Sequence, residues 1–327
     1  MEQLSIDFKA KVAASLIAVI KERSTIDHAF YKFYGISSAN CLKLRLGRLD
    51  NLLQDNEWLR LARKLNVNQV ERQWNLARTD VFNTIEEDIL FCKKYGKAKL
   101  CVDECGIGKT FAAKYLSKTL PNCFYVDASQ GKSIILFTRV LAQAIGLDSG
   151  GKWYDVKEDI KCYLKMIPNP IVIIDEAGDL SQHTLQEIKE LWNATEGFCA
   201  WYLMGADGLK YIIDKGIKLR KPGFKEIFSR FSERYTTTVP IDKTEKLLFY
   251  RKLITDVLTA NMVEKSRIDE IVRRCLIKYG DGAISGLRRA ESLLILFDNK
   301  DELNQIENAN RIEIETTDEA ESASVVC

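Results

Sequence analysis

Two short segments of this chain contain the residue types best suited to phosphate chemistry. The first reads LCVDECGIGKT from Leu100 to Thr110, and the second reads IVIIDE from Ile171 to Glu176. In the first, a strand is predicted to run into a glycine-turned loop and then a helix, so that backbone N–H groups surround phosphates. In the second, four branched apolar residues before two carboxylates are typical of a buried parallel strand. Together, in this order, the two segments predict ATP binding and hydrolysis.

Each polar group in these segments has an expected role. Lys109 can reach the β and γ oxygens of ATP, and the Thr110 hydroxyl can ligate Mg²⁺. Asp175 is expected to hold the magnesium shell, and Glu176 to orient or deprotonate a water. Asp103 stands where the pattern G-x-x-x-x-G-K-[ST] has its first glycine, which puts a negative charge near an anion-binding loop. The loop residues predicted to bind nucleotide are Cys105, Gly106, Ile107, Gly108, Lys109, Thr110 and Phe111.

An ATPase of this kind also needs groups that sense the γ-phosphate. Asp207 is a candidate polar sensor, although Ala206 stands where an asparagine would serve better. Arg230 and Arg234 precede a predicted strand, where oligomeric ATPases place an arginine finger that reaches into a neighbouring subunit's site. A surface helix held by salt bridges is the alternative for these two arginines.

A second sensor is expected near the C-terminus. The segment GDGAISGLRR, from Gly280 to Arg289, begins a predicted helix. Arg288 or Arg289 could fold back onto the nucleotide from this helix, and Arg288 is the residue we predict to bind it.

Composition excludes several classes of protein. The 327 residues are 46% apolar and 29% charged, which is ordinary for a soluble globular protein. No uncharged run of 18 apolar residues predicts a membrane span, and the N-terminus lacks the pattern of a signal peptide. Nine cysteines without C-x-x-C spacing and two histidines argue against zinc. The odd cysteine count favours reduced thiols, and hence a cytoplasmic location.

The net charge of +2 is unevenly distributed. Residues 300–327 contain eight acidic and two basic residues, so that the rest of the chain carries +8. Residues 1–80 contain 13 basic and nine acidic residues. Such an excess is either a solvated face or a surface for polyanions.

Apolar periodicity divides the chain into four parts: a helical domain over 1–68, a nucleotide-binding core over 69–240, a C-terminal helical lid over 241–298 and a disordered acidic tail over 299–327. A helix starting at Thr84 is predicted to lead into the core. The predicted strands are Leu100–Val102, Cys123–Val126, Ile171–Ile174, Ala200–Met204 and Tyr235–Val239. The predicted helices are Thr110–Thr119, Ile134–Ile145, Tyr154–Met166, Leu185–Thr195, Gly208–Ile213, Phe224–Phe231, Lys243–Leu258, Arg267–Tyr279 and Gly282–Phe297.

The N-terminal part includes a candidate DNA-reading motif. The segment Gly35–Arg48 resembles the turn and recognition helix of a helix-turn-helix, with Lys43, Arg45 and Arg48 on the exposed face. Tyr31 is bulky where a small residue usually packs between the two helices. A plain helical bundle is the alternative, because short turn signals recur widely.

Taken in order, the segments GIGKT, IVIIDEAGDL, YLMG, IFSRF and GAISGLRRA resemble the AAA+ ATPases, most closely the family of transposon target-selection ATPases that includes the transposition protein B of bacteriophage Mu. The resemblance covers residues 75–297. It implies an α/β fold, with a P-loop AAA+ parallel sheet, a C-terminal helical bundle and a small all-α N-terminal domain. Ala206 and Ser285 depart from it, because the family has a sensor asparagine and an arginine at these positions.

The resemblance also implies a function. It implies a slow ATP hydrolase that uses Mg²⁺, forms an ATP-dependent helical filament of identical subunits on double-stranded DNA, and delivers that DNA to a transposase. Sequence preference is expected to be weak. Two other functions stay open: a nucleotide-gated helix-turn-helix transcriptional regulator, and a loader of helicases or clamps in replication.

Overall fold

The computed structural model describes residues 4–22, 30–31, 34–49, 52–65, 67, 74–262, 265–276 and 286–297. The acidic tail and Ser285 lie outside these residues. The chain divides into two compact units, each made of two segments. One unit is Met1–Trp74 with Ile134–Tyr163, and the other is Asn75–Ser133 with Leu164–Cys327.

The described residues of the first unit include the helices α1 (Ile6–Glu22), α2 (Ser38–Arg45) and α3 (Asp55–Lys64). The Ser37 hydroxyl caps α2 by accepting a hydrogen bond from the Asn40 N–H at 3.1 Å. The helices enclose a core of buried apolar side chains, which include Phe8, Val12, Leu16, Ile20, Phe30, Cys41, Leu44, Trp58 and Leu61. The unit also takes in α6 (Ile134–Ile145) and most of α7 (Trp153–Met166).

The second unit is built on five parallel strands in the order β2-β3-β4-β1-β5. Every residue of β3 and β4 is buried. Strands covered on both faces need apolar side chains throughout, which is why these two read as continuous apolar runs. The α/β prediction is confirmed. The strands are β1 (Ala98–Val102), β2 (Cys123–Asp127), β3 (Ile171–Asp175), β4 (Ala200–Gly205) and β5 (Tyr235–Thr236).

Helices connect and follow these strands. Tyr250 and Leu253 of the C-terminal region pack in the same buried cluster as Ile173 and Tyr202 of the sheet, so this region shares the core of the unit. None of the described helices is long and apolar enough to cross a membrane. The helices of the unit are α4 (Asp80–Tyr95), α5 (Lys109–Thr119), α8 (Gln182–Ala194), α9 (Asp207–Lys218), α10 (Phe224–Arg230), α11 (Lys243–Asn261), α12 (Ile268–Leu276) and α13 (287–297).

Several predicted boundaries are wrong. Helix α9 covers Asp207–Lys218 rather than Gly208–Ile213, and α8 begins at Gln182 rather than at Leu185. Helix α4 begins at Asp80 rather than at Thr84, because Thr79 is its cap and accepts a hydrogen bond from the Phe82 N–H at 3.2 Å. Strand β5 ends at Thr236 rather than at Val239.

Candidate functional site

The phosphate loop joins β1 to α5. Gly106 and Gly108 have φ angles of 73° and 99°, a left-handed conformation that residues with a Cβ rarely adopt. Gly108 is the N-cap of α5 and supplies no side chain, so the first N–H groups of this helix are left for another acceptor. A helix N-terminus of this kind favours an anion. Within the loop, Ile107 is buried and Cys105 is exposed.

Lys109 lies over this loop. Only 9% of the residue is exposed, and its Nζ donates to the carbonyls of Asp103 at 2.7 Å and Glu104 at 2.6 Å. The ammonium is therefore held at the loop by backbone oxygens, within the segment predicted to bind phosphates. Thr110, the next residue of α5, is half-buried. The donor set fits the triphosphate of a nucleotide.

Asp103 braces the phosphate loop. Its Oδ1 accepts from the Glu104 N–H at 2.9 Å, and its Oδ2 accepts from the N–H groups of Thr238 at 2.5 Å and Val239 at 3.2 Å. The residue that replaces the first glycine of the motif thus ties the loop to the segment after β5, with its charge compensated by three backbone dipoles.

The carboxylates of the second motif lie at the end of β3. Asp175 is 2% exposed, and its Oδ2 accepts from the Tyr125 hydroxyl at 3.1 Å. Burial raises the pKa of Tyr125, and the charge of Asp175 adds to the rise, so the phenol remains a donor. Glu176 is exposed with a φ of 51°, and its N–H donates to Asp175 Oδ1 at 2.9 Å. Strain of this kind is common at functional sites.

These residues fit a magnesium ion that is bound largely by a nucleotide. Mg²⁺ takes oxygen ligands and usually one or two carboxylates beside substrate phosphates. Asp175 and the Thr110 hydroxyl are of the required type. The Tyr125 hydrogen bond fixes the orientation of the Asp175 carboxylate. Tyr125 was not predicted from the sequence. The signal that could have identified it is a polar hydroxyl in the middle of a predicted strand.

The C-terminal helix α13 docks on the phosphate loop. The Leu287 N–H donates to the Gly106 carbonyl at 2.8 Å. A Cβ built on Gly286 would lie 2.6 Å from that carbonyl oxygen, and one built on Gly106 would lie 4.0 Å from Cγ of Arg288. The predicted second sensor, Arg288, is therefore beside the loop, although the residue is exposed.

A second contact links the loop to α11. The Glu104 carboxylate pairs with Lys246 and accepts from the Tyr250 hydroxyl at 2.6 Å. Desolvation of the partly buried Glu104 opposes ionisation, but these two hydrogen bonds outweigh it and lower the pKa of Glu104. Sequence reasoning missed this contact, because 142 residues separate Glu104 from Lys246.

The predicted γ-phosphate sensors differ in their surroundings. Asp207 is the exposed first residue of α9, directly after Ala206 and the end of β4. Arg230 is half-buried: its Nε donates to Asn193 Oδ1 at 2.6 Å, and its guanidinium lies 5.4 Å from the ring centroid of Trp192. Arg234 is exposed immediately before β5.

Residues 94–213 match the family model described as AAA domain. The match extends from the end of α4 into α9, and so includes the phosphate loop, Asp175 and Glu176. It supports a P-loop AAA-type ATPase, and the parallel sheet fits the α/β P-loop AAA fold. The similarity supports nucleotide binding at the phosphate loop. No curated protein matches the chain.

Proposed function

We propose that this protein is an ATP-dependent, largely non-sequence-specific DNA-binding ATPase that oligomerises on DNA and delivers it to a transposase. The observation that carries the proposal is the double attachment of the phosphate loop to the C-terminal helices, through Glu104 to α11 and through Gly106 to α13. A loop bonded in this way cannot change its conformation around a nucleotide without acting on those helices. This suits ATP as an assembly switch.

The residues of the site have these roles in the proposal. Lys109 leaves the loop carbonyls for the β and γ oxygens, and Asp175 with Thr110 holds Mg²⁺. The metal, when bound, neutralises the charge that develops on these oxygens. Glu176 orients the attacking water or accepts its proton. Hydrolysis is slow because Ala206 cannot supply the hydrogen bonds of a sensor asparagine.

Arg230 and Arg288 complete the proposed site in an oligomer. Arg288 senses the γ-phosphate of its own subunit from the start of α13. Arg230, or Arg234 after it, reaches the nucleotide of a neighbouring subunit. The contacts of Arg230 with Trp192 and Asn193 hold its guanidinium in a defined orientation before assembly.

The N-terminal unit supports the DNA part of the proposal. Cys41 and Leu44 of α2 are buried, whereas Lys43, Arg45 and Arg48 are exposed, so solvent reaches all three cations. Such a face attracts phosphates by counterion release, without regard to sequence.

Electron microscopy tests the proposal. The protein is mixed with random duplex DNA and a non-hydrolysable ATP analogue, and the same mixture without nucleotide is the control. We expect long, regularly spaced assemblies only with the analogue. Closed rings on primed DNA would replace the proposal with a clamp or helicase loader, and discrete operator footprints would replace it with a transcriptional regulator.

A further inference from the structure

The exposed face of α9, the turn that follows it and the start of α10 form a strongly basic surface. Between Asp207 and Lys225 there are six basic residues and two acidic ones, and all eight are exposed. We call this set of basic residues the α9 stripe. Its members are Lys210, Lys215, Lys218, Arg220, Lys221 and Lys225.

The helical part of the stripe is arranged along one side of α9. Lys210, Lys215 and Lys218 line a groove of about 560 Å³, together with Tyr211 and other residues of the same face. At 1.5 Å per residue, these lysines span roughly 12 Å of the helix axis, or about three to four base-pair steps of a DNA strand. Tyr211 is 62% exposed, and its hydroxyl accepts from Lys215 Nζ at 3.1 Å.

The two acidic residues of the face cancel only part of this charge, because six basic and two acidic residues leave a net charge of +4. Asp214 accepts a hydrogen bond from the Tyr235 hydroxyl at 2.8 Å, and Asp207 lies at the opposite end of α9 from the turn. Lys210 Nζ lies 5.7 Å from the ring centroid of Tyr235. The cations toward the C-terminal end of α9 therefore face solvent with a net positive charge.

The turn after α9 holds a basic residue in an unfavourable backbone conformation. Arg220 has a φ of 52°, at the position that follows a helix C-cap and usually carries glycine. The Lys221 N–H donates to the Gly216 carbonyl at 2.9 Å, which completes a Schellman motif. An L-residue there costs about 1–2 kcal/mol relative to the right-handed conformation. Arginine in this conformation places an exposed cation at the tip of the turn.

Close packing fixes the stripe relative to the nucleotide site. A Cβ on Gly216 would lie 2.3 Å from Cγ of Phe224, so α9 and α10 are in direct contact. At the other end, a Cβ on Gly178 would lie 3.1 Å from the Leu209 nitrogen. Gly178 is two residues after Glu176, so α9 rests on the segment that follows the catalytic carboxylate. A rearrangement of that segment would move the stripe.

We propose that the α9 stripe binds the phosphate backbone of duplex DNA, and that it contributes more to DNA affinity than the basic face of α2 does. This inference rests on the proposed function. The occupant is DNA because six exposed cations in 19 residues match a continuous polyanion, and because no base-reading geometry is required of them.

Matched triple variants test the inference. In one, Lys215, Lys218 and Lys221 are changed to Ala; in the other, Lys43, Arg45 and Arg48 are changed to Ala. Affinity for a labelled random duplex is measured by fluorescence anisotropy with Mg²⁺ and a non-hydrolysable ATP analogue, over a salt series. Thermal unfolding checks that each variant is folded. Three lost phosphate contacts reduce the slope of log K against log[salt] by about 2.7, and affinity at 0.1 M salt by roughly 500-fold.

The outcomes separate the inference from the proposed function. Wild-type protein that does not bind the duplex would refute the DNA function itself. If the wild type binds and the α9 variant keeps at least as much DNA affinity as the α2 variant, the inference is overturned and the proposed function stands. A greater loss of DNA affinity in the α9 variant than in the α2 variant supports the inference. Lysine acetylation supplies a direct check, since DNA should protect Lys215, Lys218 and Lys221 from the reagent.

The variant Arg220→Gly distinguishes a role in DNA binding from a purely structural role, because it should change stability and DNA affinity in opposite directions. Glycine relieves the left-handed strain, so the melting temperature should rise, while DNA affinity should fall about tenfold. Glu233→Gly is the matched control, because Glu233 is exposed with a φ of 50° and is acidic. It should also stabilise the protein but should not weaken DNA binding. Unchanged DNA affinity in Arg220→Gly would count against the stripe.

Discussion

The docking of α13 on the phosphate loop predicts a large effect of Gly286→Ala. The φ of Gly286 is outside the left-handed region, so alanine would strain only the contact. The new Cβ would lie 2.6 Å from the Gly106 oxygen, which is 0.8 Å short of the 3.4 Å at which ordinary contact begins. Both groups near this point are backbone, so neither can rotate away.

The magnitude follows from this geometry. A shift of α13 by 0.8 Å would stretch the Leu287 N–H contact with the Gly106 carbonyl from 2.8 Å to about 3.6 Å, beyond hydrogen-bonding range. The lost bond is worth about 1 kcal/mol. Residual overpacking adds about 1–3 kcal/mol. The sum is at least about 2 kcal/mol, and this lower value shifts the docking equilibrium of α13 about 30-fold toward the undocked state.

Two measurements check the prediction. Hydrogen–deuterium exchange over residues 286–297 should accelerate, and the affinity for a fluorescent ATP analogue should fall because Arg288 leaves the loop. Gly208→Ala is the matched control, since a Cβ at Gly208 would meet nothing within 4 Å. If both variants exchange and bind nucleotide alike, the docked arrangement of α13 does not govern the site.

Three further variants test the roles of individual side chains. Lys109→Ala should abolish ATP binding, and with it ATP-dependent DNA binding, as measured by nucleotide titration and anisotropy; intact DNA binding would contradict the switch. Glu176→Gln should retain ATP binding but slow hydrolysis by about two to three orders of magnitude in a phosphate-release assay, because water activation is lost while Asp175 stays. Wild-type turnover would make Glu176 structural. Arg230→Ala should leave the nucleotide affinity of the isolated subunit nearly unchanged, and mixing it with Lys109→Ala should restore some hydrolysis. No rescue between folded proteins would argue against a finger that acts across subunits, or assign that role to Arg234.

The strands were predictable because their physical signal is local. Four consecutive branched apolar residues before Asp175 predict a strand that is buried on both faces, and the structure buries all four of them. The start of α4 was not predictable in the same way. Thr79 and Thr84 are both followed by acidic residues, and what decides between them is the burial of Val81 and Phe82 in the core.

The attachments of the phosphate loop lay beyond local reasoning. Asp103 read as a defect in the motif, whereas its carboxylate binds the backbone of residues 238 and 239. Gly286 lay within the predicted helix Gly282–Phe297 with nothing to single it out, whereas only a hydrogen in place of a Cβ fits against Gly106. Both depend on partners more than 100 residues away, which a single sequence does not identify.

The Glu104 contact predicts how the attachment to α11 depends on pH. The folded-state pKa of Glu104 is lowered, so its contribution to stability is present above the unfolded value of about 4.3 and is lost as pH falls through the folded value. Glu104→Gln removes the charge that Lys246 pairs with at any pH. The difference in melting temperature between wild type and this variant should therefore be largest near neutral pH and shrink below about pH 4.3. Glu196→Gln, which changes an exposed glutamate in the same unit, controls for general acid effects. A difference that stays constant from pH 7 to pH 4 and below would mean that the ionised form of Glu104 does not hold α11 to the loop.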